Sequence, residues 1–117
     1  MLLTDVIQLL GCEAIDEKTV YPSLVVTSCF AADLMSEVLA FCGAGALLLT
    51  GLTNIQSVHT ADVADLSAIL YVNAKRPPQP VIDLAGERGI PLLTTNLTMF
   101  EASGILYGKG LLPSSKE

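Results

Sequence analysis

Apolar and polar positions along the chain change period several times, and each change marks an element. Leu2, Leu3, Val6, Ile7 and Leu10 recur at helical spacing, and Gly11 stands where such a helix ends. Cys12 to Ile15 reads as a short strand, with Asp16, Glu17 and Lys18 as a polar turn after it. Leu24, Val25 and Val26, entered from Pro22 and Ser23, form a run typical of a buried strand. Asp33 then opens a helix with the stripe Leu34, Met35, Val38, Leu39 and Phe41, which Gly43 or Gly45 ends.

The stretch from Ala46 to Asn73 contains a complete strand, loop, helix and strand. Ala46 to Leu49 is apolar without alternation, as in a strand buried on both faces, and Thr50 to Thr53 turns the chain. Ile55, Val58, Val63 and Leu66 supply the inner face of a helix, and Ala68 to Val72 is a second buried strand. This is the minimal βαβ unit of a parallel sheet, expected to cross over in the right-handed sense.

Beyond Asn73, three prolines beside Lys75 and Arg76 stiffen the entry to a helix from Gln79 to Arg88, which Gly89 and Pro91 stop. Ile90 to Leu93 forms another strand. Thr98 with Glu101 three positions later is a capping box for a helix through Tyr107. The alternation predicts an α/β fold with a mainly parallel sheet of about four or five strands and helices packed on it. One domain is expected over residues 1–112, with 113–117 as a frayed tail.

Composition narrows the classes. At 117 residues the chain is long enough for one domain burying about two-thirds of its unfolded surface, and 51% hydrophobic residues with 15% charged place it among folded proteins. Twelve acidic and six basic residues give a net charge of −6, which repels a phosphate backbone, so nucleic acid is not an expected partner. The apolar runs fall well short of the roughly 20 residues of a membrane span. No membrane segment and a cytoplasmic location are therefore expected. Three widely spaced cysteines and a single histidine suggest neither a disulfide framework nor a metal site, and read as buried structural thiols.

Candidate chemistry concentrates at one edge. Thr50, Thr53 and Asn54 follow the first strand of the central unit, Asn73, Lys75 and Arg76 the second, and Thr94, Thr95 and Asn96 the third. In a parallel sheet these ends lie together, where open α/β sheets bind ligands and helix N-termini favour anions. Thr53, Asn54, Asn73, Lys75, Arg76, Thr95 and Asn96 are accordingly the candidate ligand-binding residues, for a small anionic metabolite or nucleotide. Threonine and asparagine also cap helices and form turns, and both readings fit the sequence. No Gly-Lys-Ser/Thr follows Gly51, and no G-x-G-x-x-G is present, so phosphate-loop and dinucleotide chemistry lose their usual support. His59, with Asp62 and Asp65 nearby, reads as a structural histidine or as a general base. No catalytic constellation and no cofactor are expected.

The order VVTSCFAADLMSEVL followed by LLLTGLTNIQSVHTADVADLSAILYVNAKRPPQPVIDLAGERGIPLLTTNLTMFEASGILY resembles the DRTGG domain family. Asp33-Leu34-Met35-Ser36, Ile90 to Thr95, and Phe100-Glu101-Ala102 to Leu106-Tyr107 carry the resemblance. The family occurs alone, beside CBS domains in some inorganic pyrophosphatases and in phosphotransacetylases, and is related to the N-terminal domain of HPr kinase/phosphorylase. Where it tends to have Thr-Gly-Gly, this chain has Thr27, Ser28 and Cys29, which restricts the backbone there. The resemblance implies a non-catalytic regulatory or ligand-sensing domain, often a homodimer. Its stand-alone members resemble accessory proteins of partner enzymes such as hydrogenase or kinase systems. An apolar face that docks a partner enzyme or a second copy is the alternative role.

Overall fold

The computed structural model describes residues 1–116. Helix α1 (Leu3–Leu10) leads into strand β1 (Glu13–Ala14) and a single 3-10 turn, Glu17–Thr19. Then β2 (Ser28–Ala31), α2 (Met35–Phe41), β3 (Ala46–Thr50), α3 (Ile55–Val63), β4 (Ala68–Tyr71), α4 (Gln79–Arg88) and β5 (Leu92–Thr94) alternate, and α5 (Met99–Gly108) and β6 (Leu112–Pro113) complete the chain. The strands form one sheet in the order β1-β5-β4-β3-β2-β6. Every pairing is parallel except β1 on β5, so the α/β class and mainly parallel sheet are as expected.

The centre of the sheet follows from its residues. Every residue of β3, β4 and β5 is buried. Successive side chains point to opposite faces, so both faces need cover. Leu48, Ile69, Tyr71 and Leu92 pack under α2, α3 and α4 through Val38, Val58, Ala61, Val81 and Ala85. Leu47, Leu49, Leu70 and Leu93 pack on the other side with Leu3, Val6 and Leu10 of α1 and Ala102 and Leu106 of α5. The result is a three-layer helix, sheet, helix arrangement.

Local chemistry sets most helix ends as the sequence predicts. Gly11 (φ 60) and Gly89 (φ 66) adopt the left-handed conformation that closes α1 and α4. The capping box at α5 forms reciprocally: the Glu101 amide donates to Thr98 Oγ1 and the Thr98 amide to Glu101 Oε1. The phenol of Tyr71 lies 2.9 Å from Ser57 Oγ. Ser57 already donates to the Asn54 carbonyl, so Tyr71 is the donor of that buried bond and pins the start of α3 over β4.

Three expectations are corrected, and a fourth, the number of strands, is refined. Leu24 to Val26 is not a strand of the sheet: Val25 is exposed and forms an isolated bridge with Leu2, while the Val26 amide bonds to Met1. The strand lies at Ser28–Ala31, in register with Ala46 to Leu49, because the N-terminus takes the hydrogen bonds of the earlier run. Val63 is 76% exposed, and α3 instead buries Ser57, Val58, Thr60 and Ala61, small residues that let the helix lie close to the sheet. Asp33 does not start a helix; α2 begins at Met35 after Leu34, and the Asp33 carboxylate turns back to the end of β3. The sheet has six strands because its edges are closed by two-residue pieces too short to carry a pattern.

Residues 113–116 of the segment expected to fray are anchored. Leu112 and Pro113 pair with Ser28 and Cys29, and the Ser114 amide donates to the Cys29 carbonyl. Ser114 Oγ accepts from the Gly43 amide at 2.8 Å, and Lys116 donates to the Leu39 carbonyl at the end of α2. Glu117 lies outside the described residues. The Thr27, Ser28 and Cys29 backbone stays out of the left-handed region, and the close approach falls to Gly45 (φ 80), where a Cβ would sit 2.9 Å from Thr27 Oγ1.

A Cβ at Gly43 would collide with the Ser115 carbonyl. Gly43→Ala is therefore expected to lift residues 112–116 from α2 and to cost about 1–3 kcal/mol. A urea melt with limited proteolysis checks this: unchanged stability, with the C-terminal segment cut as readily in the wild type as in the variant, would show that the anchoring does not exist in solution.

Candidate functional site

The C-terminal ends of β2, β3, β4 and β5 share one edge because these strands are parallel. Antiparallel β1 enters the sheet at the same edge, with Glu13 opposite Thr94. This reversal places an acidic residue from the N-terminal part of the chain among the candidate residues.

The β4 to α4 connection is the spine of the site. The Asn73 amide donates to the Leu97 carbonyl and the Ala74 amide to the Thr95 carbonyl, while Thr94 Oγ1 donates to the Lys75 carbonyl. Holding these bonds puts Asn73 (φ 59) and Ala74 (φ 58) into the left-handed region in succession. Asparagine tolerates it, but alanine there costs on the order of 1–2 kcal/mol. Such strain persists where surrounding bonds over-determine the backbone, and it recurs at ligand clamps.

Asn73 belongs to this spine, and the other six candidates separate into two groups on either flank of it. Lys75 points toward β3, where its Nζ donates to the Gly51 carbonyl at 3.3 Å. Asp33 completes that flank: its Oδ1 accepts from the Gly51 amide at 2.7 Å and from the buried Thr50 hydroxyl at 3.1 Å. A Cβ at Gly51 would lie 3.4 Å from Lys75 Nζ and 3.5 Å from Asp33 Oδ1, so the loop passes between a cation and an anion. Asn54 caps α3 by accepting from the Gln56 amide, and Thr53 is half-buried in the same loop.

On the other flank, Arg76, Thr95 and Asn96 line a polar cleft of about 170 Å³ together with Gly11, Glu13, Ala74 and Thr94. Arg76 bonds Glu13 with both guanidinium nitrogens, at 2.9 and 3.2 Å, with the two side chains 51% and 66% exposed. Arg76's hydrogen bonds and its charge hold the Glu13 carboxyl below the ordinary carboxylate range. The Thr95 hydroxyl is buried and committed to the Leu10 carbonyl at 2.8 Å, which ties this edge to the end of α1. Asn96 is exposed and its side-chain amide makes no hydrogen bond among the described residues.

Sequence reasoning missed Asp33 and Glu13. Asp33 looked like a helix-start residue by position, and Glu13 lies 63 positions from Arg76. Glu13 lies within the short strand read at Cys12 to Ile15, and nothing in the local sequence points to its distant partner. The other expectations fall elsewhere. His59 is exposed on α3, and Asp62 is paired with Arg88 at 3.1 Å. Burial pushes the Cys12 and Cys29 thiols up to about 12 and raises that of Cys42, so the thiolate that reactivity needs is scarce.

A second surface is apolar. Cys29 and Ala31 of β2, Phe100, Gly104, Leu106 and Tyr107 of α5, and Leu111 to Pro113 line a groove of about 410 Å³. Phe100 is 87% and Tyr107 69% exposed.

No protein-family model matches the chain, and no curated protein matches it by sequence. Among solved structures it is similar to the CBS and DRTGG domains of the regulatory region of Clostridium perfringens pyrophosphatase, solved with its activator, diadenosine tetraphosphate, at a TM-score of 0.71 and 20% identity. The match covers 99% of this chain and 51% of that one, so the chain spans about half of that structure's length. At this identity the likeness is one of fold, and the fold is that found in a DRTGG-containing regulatory region.

Ala74→Gly removes the left-handed penalty without touching the bonds of the spine. It is expected to stabilise the fold by about 1 kcal/mol in chemical denaturation. A destabilised variant would show that residue 74 does not hold a left-handed backbone in solution.

Proposed function

We propose that this chain is a non-catalytic regulatory module that senses a small anionic metabolite or nucleotide through the polar cleft at the C-terminal edge of its sheet. The observation that carries this reading is the cleft itself, where Arg76 stands beside Thr94, Thr95 and the unengaged amide of Asn96. Guanidinium groups recognise carboxylates and phosphates through paired, charge-assisted hydrogen bonds, and Arg76 already presents its fork in that geometry to Glu13. Strain at Ala74 on the cleft wall fits a preorganised binding loop. The likeness in fold to a regulatory region that binds an activator nucleotide supports the same class of role.

A thermal-shift screen of nucleotides and phosphorylated metabolites tests this. A ligand of this site raises the melting temperature, and Arg76→Gln weakens it by roughly ten- to a hundredfold, the loss expected for a charge-assisted contact. Lys75→Gln, on the other flank, is expected to leave the affinity nearly unchanged. No shift with any ligand at millimolar concentration would overturn the reading.

A second reading follows from the apolar groove. Phe100, Tyr107 and Leu112 are among the exposed large hydrophobic residues and all line it, as an interaction surface for a second copy or a partner enzyme requires. Light scattering at micromolar concentration is expected to give a dimer that Phe100→Ser with Tyr107→Ser dissociates. A monomer under those conditions removes the homodimer from this reading.

A further inference from the structure

The cleft lined by Arg76 holds no free cation at rest, because Glu13 lies on the guanidinium. We propose that Glu13 is a built-in competitor for the ligand: its carboxylate takes on Arg76 the place of the ligand's carboxylate or phosphoryl group, and binding proceeds by displacing it. This rests on the proposed ligand site and adds how that site is kept closed and what class of group opens it.

Three observations carry the inference. The pair is bidentate, at 2.9 and 3.2 Å, which is how an arginine fork meets two oxygens of an incoming anion. Both partners are about half or more exposed, so solvent screens their attraction and the contact is cheap to replace. Glu13 is also carried on an edge strand two residues long, with its own side chain exposed. It can swing off Arg76 by side-chain rotation alone, leaving Ala14 and Ile15 packed on the core.

Cleft size narrows the ligand. A volume of about 170 Å³ equals the share of about five or six waters in the liquid, and lies below the roughly 300 Å³ at which pockets for whole drug-sized molecules begin. One anionic head group fits, with the rest of the molecule outside. Among the described residues, Glu13 and Arg76 are the only charged ones lining the cleft, so it is neutral while closed and gains one positive charge when Glu13 leaves. The amide of Asn96 then supplies further donors to the anion. A terminal phosphoryl or carboxylate group is the chemistry that this arrangement recognises.

Backbone-amide NMR titrations of the wild type, Glu13→Gln and Arg76→Gln with inorganic phosphate, and separately with acetate, test the proposal. Glutamine keeps the shape of residue 13 and removes its charge, and both substitutions lie at exposed positions. Shifts are expected at Gly11, Ala74 and Thr94 to Asn96, with affinity in Glu13→Gln about two- to fivefold tighter than in the wild type and lost in Arg76→Gln. The anion showing the larger gain identifies the head group as phosphoryl or carboxylate. Equal affinity in the wild type and Glu13→Gln, with loss in Arg76→Gln, would overturn the competitor while leaving Arg76 as the anion site. Binding that survives Arg76→Gln, or no shifts in any variant at tens of millimolar, would overturn both.

Discussion

Three adjacent strands buried on both faces are the constraint from which the rest of the structure follows. Every residue of β3, β4 and β5 is buried, so each strand needs helices above and below and a neighbour on both sides. α2, α3 and α4 cover one face as the crossovers between consecutive strands. The other face has no crossover of its own within that series, and it is closed by α1 from one end of the chain and α5 from the other. Both ends are thereby drawn into the core.

That closure also determines what meets at the C-terminal edge of the sheet. α1 lies over the sheet with its last turn at the C-terminal ends of the strands, where the Thr95 hydroxyl holds the Leu10 carbonyl. The chain leaving α1 has only one open sheet edge within reach, beside β5, and enters it antiparallel at Glu13. An acid therefore stands beside the cation that follows β4. On the other flank, Asp33 at the end of β2 braces Gly51 and faces Lys75 across it. The two cations at this edge each have an acidic neighbour from a different element, which keeps the edge close to neutral in a chain of net charge −6.

Legibility in the sequence tracks how local each determinant is. The central βαβ unit, the helix at Gln79–Arg88 and the capping box at Thr98 and Glu101 were readable because apolar runs, prolines and caps act within a few residues. The misplaced strand shows the opposite case. Leu24 to Val26 has the better strand composition, yet Ser28–Ala31 joins the sheet, because the N-terminal residues claim the earlier run and only tertiary pairing decides between them. Val63 fails for a related reason: helical spacing allows it inside, but α3 approaches the sheet on small side chains and leaves valine out. The candidate site was legible as an edge and not as a cavity. Strand ends can be aligned from the pattern alone, whereas the direction each cation takes depends on Glu13 and Gly51, which are distant in sequence.

The two surfaces with a case for function are both completed by the elements that local pattern specifies least. β1 contributes two residues and brings Glu13 to Arg76; β6 contributes two residues and, with α5, forms the apolar groove. Each of these short strands lies at an edge of the sheet and is held by pairing to one neighbouring strand and by the residues that flank it. Both surfaces therefore lie outside the fully buried strands β3, β4 and β5 that form the centre of the sheet. In the proposed function the central unit is the frame, and the ligand and partner surfaces are the two ends of the sheet that the frame holds in place.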